Sequence, residues 1–308
     1  MKTRNMRPDP MRPAPVDQAT IAKWRRLSGM DDREAMNNLG LAYRNGQCVP
    51  KDKVQAVYWF RQAADKGHPG AMGNLALAFF DGEGVIQDKE KAFQLWKKSF
   101  QKGDTAATFS LGFAYFYGHG TRVNKREAIK LWSKASRDGD AYAQYHLGKA
   151  LTLGDGVAKD DERGVRLMRL ASEEGVVEAF YQLGETYKAQ GRLHNPAKAL
   201  ENFRKGCFFH HPPSFVRYGA ALLYGDGLPK DVSKATLYFM KAAELGDHDA
   251  EYYLGLVHFR NRRYAKKIDQ AKEYWLKAAA AGNAKAAVAL KSLEDTDFEF
   301  LESLTHRI

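Results

Sequence analysis

Apolar residues along this chain recur in two interleaved series that share one period. Leucine or tyrosine stands at Leu39, Leu75, Leu111, Leu147, Leu183, Tyr218, Leu254 and Leu290, spaced by 36 residues with one interval of 35. Larger residues hold the same phase at Trp24, Phe60, Trp96, Trp132, Met168, Phe203, Phe239 and Trp275. A fixed period of about 20–50 residues marks a stacked-repeat architecture. Repeats of this kind bury their apolar faces only against neighbours. The array is therefore expected to form one continuous body, although 308 residues by length alone suggest about two domains.

Within one repeat the spacing predicts two helices. Ala71, Leu75, Ala78 and Phe79 fall at i, i+4, i+7 and i+8, the stripe of an amphipathic helix. The Asp-Gly-Glu-Gly run at 81–84 stops it, because glycine tolerates the left-handed conformation that ends a helix. Asp88 is the expected N-cap of a second helix that puts Ala92, Leu95, Trp96 and Phe100 on one face. Each repeat is thus an antiparallel helix pair, and the glycine of each Leu-Gly pair is expected to let the two backbones approach closely.

The phase extends beyond both ends. Residues 17–34 should hold an N-terminal capping helix (Asp17–Leu27, anchored by Trp24) after a basic, proline-containing tail over 1–16 expected to be disordered. Residues 35–285 form seven repeats, and 286–308 supply a capping helix over Ala286–Leu293 and an acidic tail. The segment 298–304 has the makings of a further amphipathic turn.

In repeat three, Ala107, Leu111, Gly112, Tyr115, Gly118, Gly120, Ala128, Trp132, Lys134, Ala135 and Gly139 spell out a pattern that resembles the Sel1-like repeat, a relative of the tetratricopeptide repeat. Repeat six fits equally well with Gly219, Gly225, Gly227, Asp231, Lys234, Ala235, Lys241, Ala242, Ala243 and Gly246. The resemblance runs from about Ala35 to Gly282. It implies an all-α fold, a right-handed α-solenoid of about seven helix-turn-helix repeats with half-repeat caps. It also implies a role in assembling or regulating other proteins. Secreted relatives carry a disulfide in each repeat, whereas this chain has only Cys48 and Cys207, which favours a reducing, cytoplasmic setting.

Two repeats depart from the pattern. Repeat five lacks the Gly-x-Gly turn and reads KAQGRLHNPAKAL. Repeat seven replaces the turn glycines by Asn261 and Arg263, among Arg260, Arg262, Lys266 and Lys267. Together with Lys2, Arg4, Arg7 and Arg12, this cluster accounts for much of the net charge of +11. A basic surface favours acidic partners, including nucleic acid.

No spacing diagnostic of catalysis occurs, and neither an enzymatic activity nor a cofactor is expected: P-loop, His-Glu-x-x-His and Gly-x-Ser-x-Gly motifs are all missing. The Asp-Gly-x-Gly runs at 81, 155 and 226 share one phase and read as hairpin turns rather than metal or phosphate loops. His210 and His211 beside Cys207 read as an inter-repeat loop rather than a metal cluster. No run approaches the ~18 apolar residues of a membrane span.

The resemblance assigns variable first-helix positions to the concave face. Aromatic and basic residues there are the candidate partner-binding set: Arg44, Phe80, Phe113, Phe116, Tyr117, Lys149, Lys188, Tyr224 and Phe259, continued by Arg260, Arg262 and Arg263. Exposed aromatics beside cations suit peptide recognition. The expected function is a non-catalytic adaptor or regulator that holds a partner protein or peptide, acidic in character, in this groove. The alternative is nucleic-acid or acidic-surface binding through the basic tail and repeat seven.

Overall fold

The computed structural model describes residues 16–260, 265–295, 300, 301 and 303, and among them every regular element is a helix. The chain divides into two compact units between Ala143 and Gln144. In the first unit α1 (Gln18–Ser28) precedes three hairpins: α2 (Arg33–Asn45) with α3 (Lys53–Asp65), α4 (Pro69–Asp81) with α5 (Lys89–Gln101), and α6 (Ala106–Tyr117) with α7 (Lys125–Arg137). The division falls within α8 (Ala141–Leu153). The second unit continues with α9 (Asp161–Glu173), the hairpin α10 (Val177–Lys188) with α11 (Pro196–Phe208), and α12 (Pro212–Tyr224) with α13 (Val232–Glu244). It ends with α14 (His248–Arg260), α15 (Ala265–Ala280) and α16 (Ala284–Glu294). This is an all-α solenoid fold built from helix-turn-helix repeats.

The same local chemistry makes each hairpin. Gly82 ends α4 in the left-handed region at φ 73°, and its N–H returns to the Ala78 carbonyl. Asp88 then caps α5 by accepting from the Lys91 N–H at 2.9 Å, while its own N–H donates to the Phe79 carbonyl at 2.8 Å and closes the turn. Asn124 repeats both bonds in the next hairpin, to the Glu127 N–H and the Tyr115 carbonyl. The second glycine of the turn answers a different need. A β-carbon on Gly120 would fall on the backbone carbonyl of Lys89, so the turn docks on the start of the preceding repeat's second helix.

Repeat five reaches the same end by another route. Ala189 follows α10 at φ −60°, outside the left-handed region. The Nδ1–H of His194 donates to the Lys188 and Ala189 carbonyls at 3.2 and 3.3 Å, covering helix-end groups that a glycine cap would otherwise serve. The Asn195 N–H still closes the turn on the Tyr187 carbonyl at 2.8 Å.

Both periodic series lie in the core, apart from Trp24 and Tyr218, which are half-buried at its edge. Trp132, Met168, Phe239 and Trp275 are at most 1% exposed, and Trp96 is 3% exposed. The Trp132 and Trp275 indole N–H groups donate to the carbonyls of Phe109 and Tyr252, each 23 residues earlier. The glycine after the leucine slot corrects the sequence expectation in most repeats. It makes room for a ring: a β-carbon on Gly40 would meet the Phe60 ring at 2.5 Å, and Gly112, Gly184, Gly219 and Gly255 face their own repeats' large residues likewise. Only where Met168 replaces the ring do two backbones meet as expected. There, β-carbons on Gly148 and Gly164 would each lie under 3 Å from the other's carbonyl oxygen.

Candidate protein-binding site

In the first unit, helices α4 and α6 bring together the aromatic residues of repeats two and three. The Phe80 and Phe113 ring centroids are 6.1 Å apart at 79°, an edge-to-face contact, and Phe113 lies 4.7 Å from Tyr117. His119, on the turn after α6, touches all three, at 5.2 Å from Phe80, 5.4 Å from Phe113 and 5.8 Å from Tyr117. Phe109 extends the platform from Phe113 to Tyr142. The platform is open: Tyr117 is 43% exposed, nearby Leu77 on α4 equally so, and Phe80, Phe113 and His119 are half-buried.

One cation edges this platform. The exposed Lys89 ammonium stands 5.6 Å from the Phe80 ring centroid, within cation–π range. Burial lowers the His119 pKa below the ordinary imidazole value, and the Lys89 charge adds to the effect. The imidazole is therefore neutral at pH 7 and acts as a flat, partly apolar ring. Sequence reasoning missed His119 and Lys89, because neither stands at a first-helix position. Their signal was the repeat register, which sets the turn after α6 beside the start of α5.

Two expected anchors are corrected. Phe116 is 8% exposed, its ring tilted against Trp132 at 4.8 Å with the Lys125 ammonium 5.1 Å over its ring. Phe259 is fully buried, 5.8 Å from Trp275. Both occupy the slot 16 residues before their repeat's large residue, which is buried in these two repeats and half-buried at Phe80 in repeat two. Arg44 occupies it in repeat one, where its guanidinium lies 5.9 Å over Phe60 and donates to Asn74 Oδ1 at 3.2 Å. It is half-buried, held between the ring of its own repeat and Asn74 of the next.

In the second unit, Lys188 and Tyr224 meet on a cavity of about 1000 Å³ that Arg217 and Tyr253 also line. Arg217 is held there by Glu185, with Nη2 donating to Oε2 at 3.2 Å. Lys149 is half-buried beside His146, whose pKa burial pushes down to about 4, with a further contribution from the Lys149 charge. Arg260 is exposed at the end of α14. Arg262 and Arg263 lie outside the described residues, as do residues 1–15 of the basic tail.

Seven segments, at residues 33–68, 69–104, 105–140, 141–176, 177–207, 216–247 and 248–283, match the Sel1 repeat family model. The chain belongs to the Sel1 repeat family. Among solved structures it is similar to a protective antigen present in uropathogenic Escherichia coli strains displaying an SLR fold, at 28% identity and TM-score 0.67 over 90% of this chain. The match covers 60% of that antigen, so the Sel1 chain here spans well under its full length. A Sel1 repeat protein from Oxalobacter formigenes matches at 28% identity and TM-score 0.66, over 89% of this chain and 80% of its own. Yeast Tom70 shares the fold at 14% identity and TM-score 0.50, over 94% of this chain and 59% of its own.

The histidines near Cys207 fall between two of the matched segments. His210 adopts a left-handed conformation at φ 57° in the loop after α11, and His211 Nδ1 lies 2.9 Å from the Ser214 hydroxyl. The Cys207 thiol is buried, and burial pushes its pKa up to about 12. Among the described residues, no three His, Cys, Asp or Glu side chains gather as metal ligands. No helix among them is long and apolar enough to cross a membrane.

Proposed function

We propose that this Sel1 repeat protein is a non-catalytic adaptor that binds an apolar, acidic segment of a partner protein on the first unit's aromatic platform. The observation carrying this reading is the mutual contact of Phe80, Phe113, Tyr117 and His119 while Tyr117 stays 43% exposed. Rings already held by one another lose little freedom on binding, and desolvating them supplies affinity. Lys89 at the edge selects for negative charge beside the apolar anchor. Two unpaired cysteines, Cys48 and Cys207, support a cytoplasmic setting.

A photo-crosslinking residue at position 117 tests this reading in cells. It should capture a discrete partner that the same residue at exposed Tyr58 does not. The captured segment, titrated against the purified protein, should lose affinity on Phe113→Ala. A captured nucleic acid, with affinity falling steeply as salt rises, would instead favour binding through the basic regions.

A further inference from the structure

A lysine three residues after a second helix's N-cap recurs in this array, and its surroundings differ in repeat five. In repeats two and six, Lys91 and Lys234 pair with the N-cap carboxylates of Asp88 and Asp231, at 3.0 and 3.1 Å. The N-cap of α11 is the neutral Asn195, which accepts from the Lys198 N–H and offers the ammonium no charge. Lys198 instead stands 5.6 Å over the Tyr187 ring. Arg169, on α9, donates from Nη2 to the hydroxyl of the same tyrosine at 2.6 Å. Repeat one has the equivalent pair, Arg25 on Tyr43 at 3.3 Å, but Gln55 stands in the lysine's place. Arg169 and Lys198 are both exposed, and neither forms an ion pair among the described residues.

These donors lie at one end of an open groove of about 530 Å³ between α9 and α11. Its floor is one face of α10, where Phe180, Leu183 and Tyr187 fall at i, i+3 and i+7. The other end is aromatic. Phe209 stacks on Phe180 at 5.7 Å and 8°, and Phe208 meets Phe209 edge-on at 5.1 Å. Phe209 is 49% exposed and Phe208 78% exposed. In repeats one to four the position of Phe209 holds Lys66, Lys102, Asp138 and Glu174, so the repeat framework does not require an aromatic ring there. The rise of α10 from Phe180 to Tyr187 sets the two ends about 10 Å apart.

We propose that this groove is a second partner site, which holds a peptide by one carboxylate at Arg169, Tyr187 and Lys198 and by one apolar side chain on Phe180 and Phe209. A guanidinium, an ammonium and a hydroxyl whose hydrogen has no acceptor among the described residues meet at Tyr187, a donor set that suits a carboxylate. The groove also carries Glu173 and Glu201, the latter held by Lys205 at 2.8 Å. Their charges repel a polyanion while the two cations accept a single negative group, which selects an acidic peptide over nucleic acid. At about 3.3 Å per residue of extended chain, the acid and the apolar residue of the peptide stand about three residues apart. The site shares no residue with the first unit's platform and stands independently of it.

The test selects a displayed random-peptide library on the immobilised full-length chain, with the Arg169→Glu/Lys198→Glu variant in solution to remove binders at other surfaces. Both substitutions fall on exposed side chains, so the variant should stay folded. Enriched peptides should carry Asp or Glu about three residues from Phe, Trp or Leu. A synthetic peptide from the enriched pool should lose affinity at least about tenfold on Arg169→Glu, and as much when its own acid is replaced by the amide. Phe209→Ala should weaken it about fivefold or more. Phe113→Ala should change it by less than about twofold. No enrichment, or enriched peptides that bind without an acid, overturns the proposal. Peptides that respond to Phe113→Ala but not to Arg169→Glu would lie on the first unit's platform, supporting the adaptor reading while overturning this site. Self-association of the chain that Phe208→Ala abolishes would assign the aromatic end to a second copy and overturn it too.

Discussion

The Trp132 ring takes up the space that a side chain on Gly112 would need: a β-carbon at residue 112 would lie 2.8 Å from both Cδ1 and Nε1 of the indole. This pairing links the leucine-slot helix to the large-residue helix within one repeat. Gly112→Ala should therefore overpack the repeat and cost about 1–3 kcal/mol, despite a gain in helix propensity of about 1 kcal/mol. Chemical denaturation would show it as a lowered midpoint. Repeat two carries Ala76 in this slot, fully buried, so Ala76→Gly should cost only about 1 kcal/mol through propensity.

Removing the ring itself should cost more. Trp132 is 1% exposed and its indole N–H donates to the Phe109 carbonyl at 3.3 Å. Trp132→Ala should lower stability by about 3–5 kcal/mol, leaving a cavity and losing the indole hydrogen bond. A change below about 1 kcal/mol in the same denaturation experiment would contradict the inter-helix packing described above.

Phe113 and Phe116 stand three residues apart on α6 and should behave in opposite ways. Phe116 is buried on Trp132, so Phe116→Ala should destabilise by about 2–4 kcal/mol. Phe113 belongs to the open platform, and Phe113→Ala should cost under about 1 kcal/mol in stability while weakening partner binding by about 2 kcal/mol. Paired melting and binding measurements on the two variants check both halves.

His146 gives stability a pH dependence of known sign. Burial holds its folded pKa at about 4, below the unfolded value near 6.5. Between these values the unfolded chain binds the extra proton, so stability is lost as pH falls through this window. The loss should be on the order of 1–3 kcal/mol by pH 4. His119, His211 and His258, also lowered by burial, add to the same slope. Melting temperature followed from pH 7 to 4 should fall less steeply for His146→Gln than for wild type.

The helical hairpins were legible because each rests on local chemistry that repeats. Asp88 as N-cap and Gly82 as left-handed stop need only their own neighbours, and both are found as the sequence implied. The division of labour within the aromatic slots was not legible. Phe80 and Phe116 occupy equivalent positions, yet one is half-buried and the other buried, because what lies over them differs between repeats. His119 entered the platform through a turn, where no helical period points. Leu301 falls in the segment 298–304 read as a further amphipathic turn, and its burial in the second unit's apolar cluster could not be located because no repeat register extends to it.

Calorimetric titration of the captured partner segment into wild type and the Phe113→Ala/Tyr117→Ala double variant, at two salt concentrations, tests the adaptor role most directly. The double variant should remain folded and bind at least about 30-fold more weakly at either salt concentration. Undiminished binding by a folded double variant would contradict a partner site on the first unit's aromatic platform.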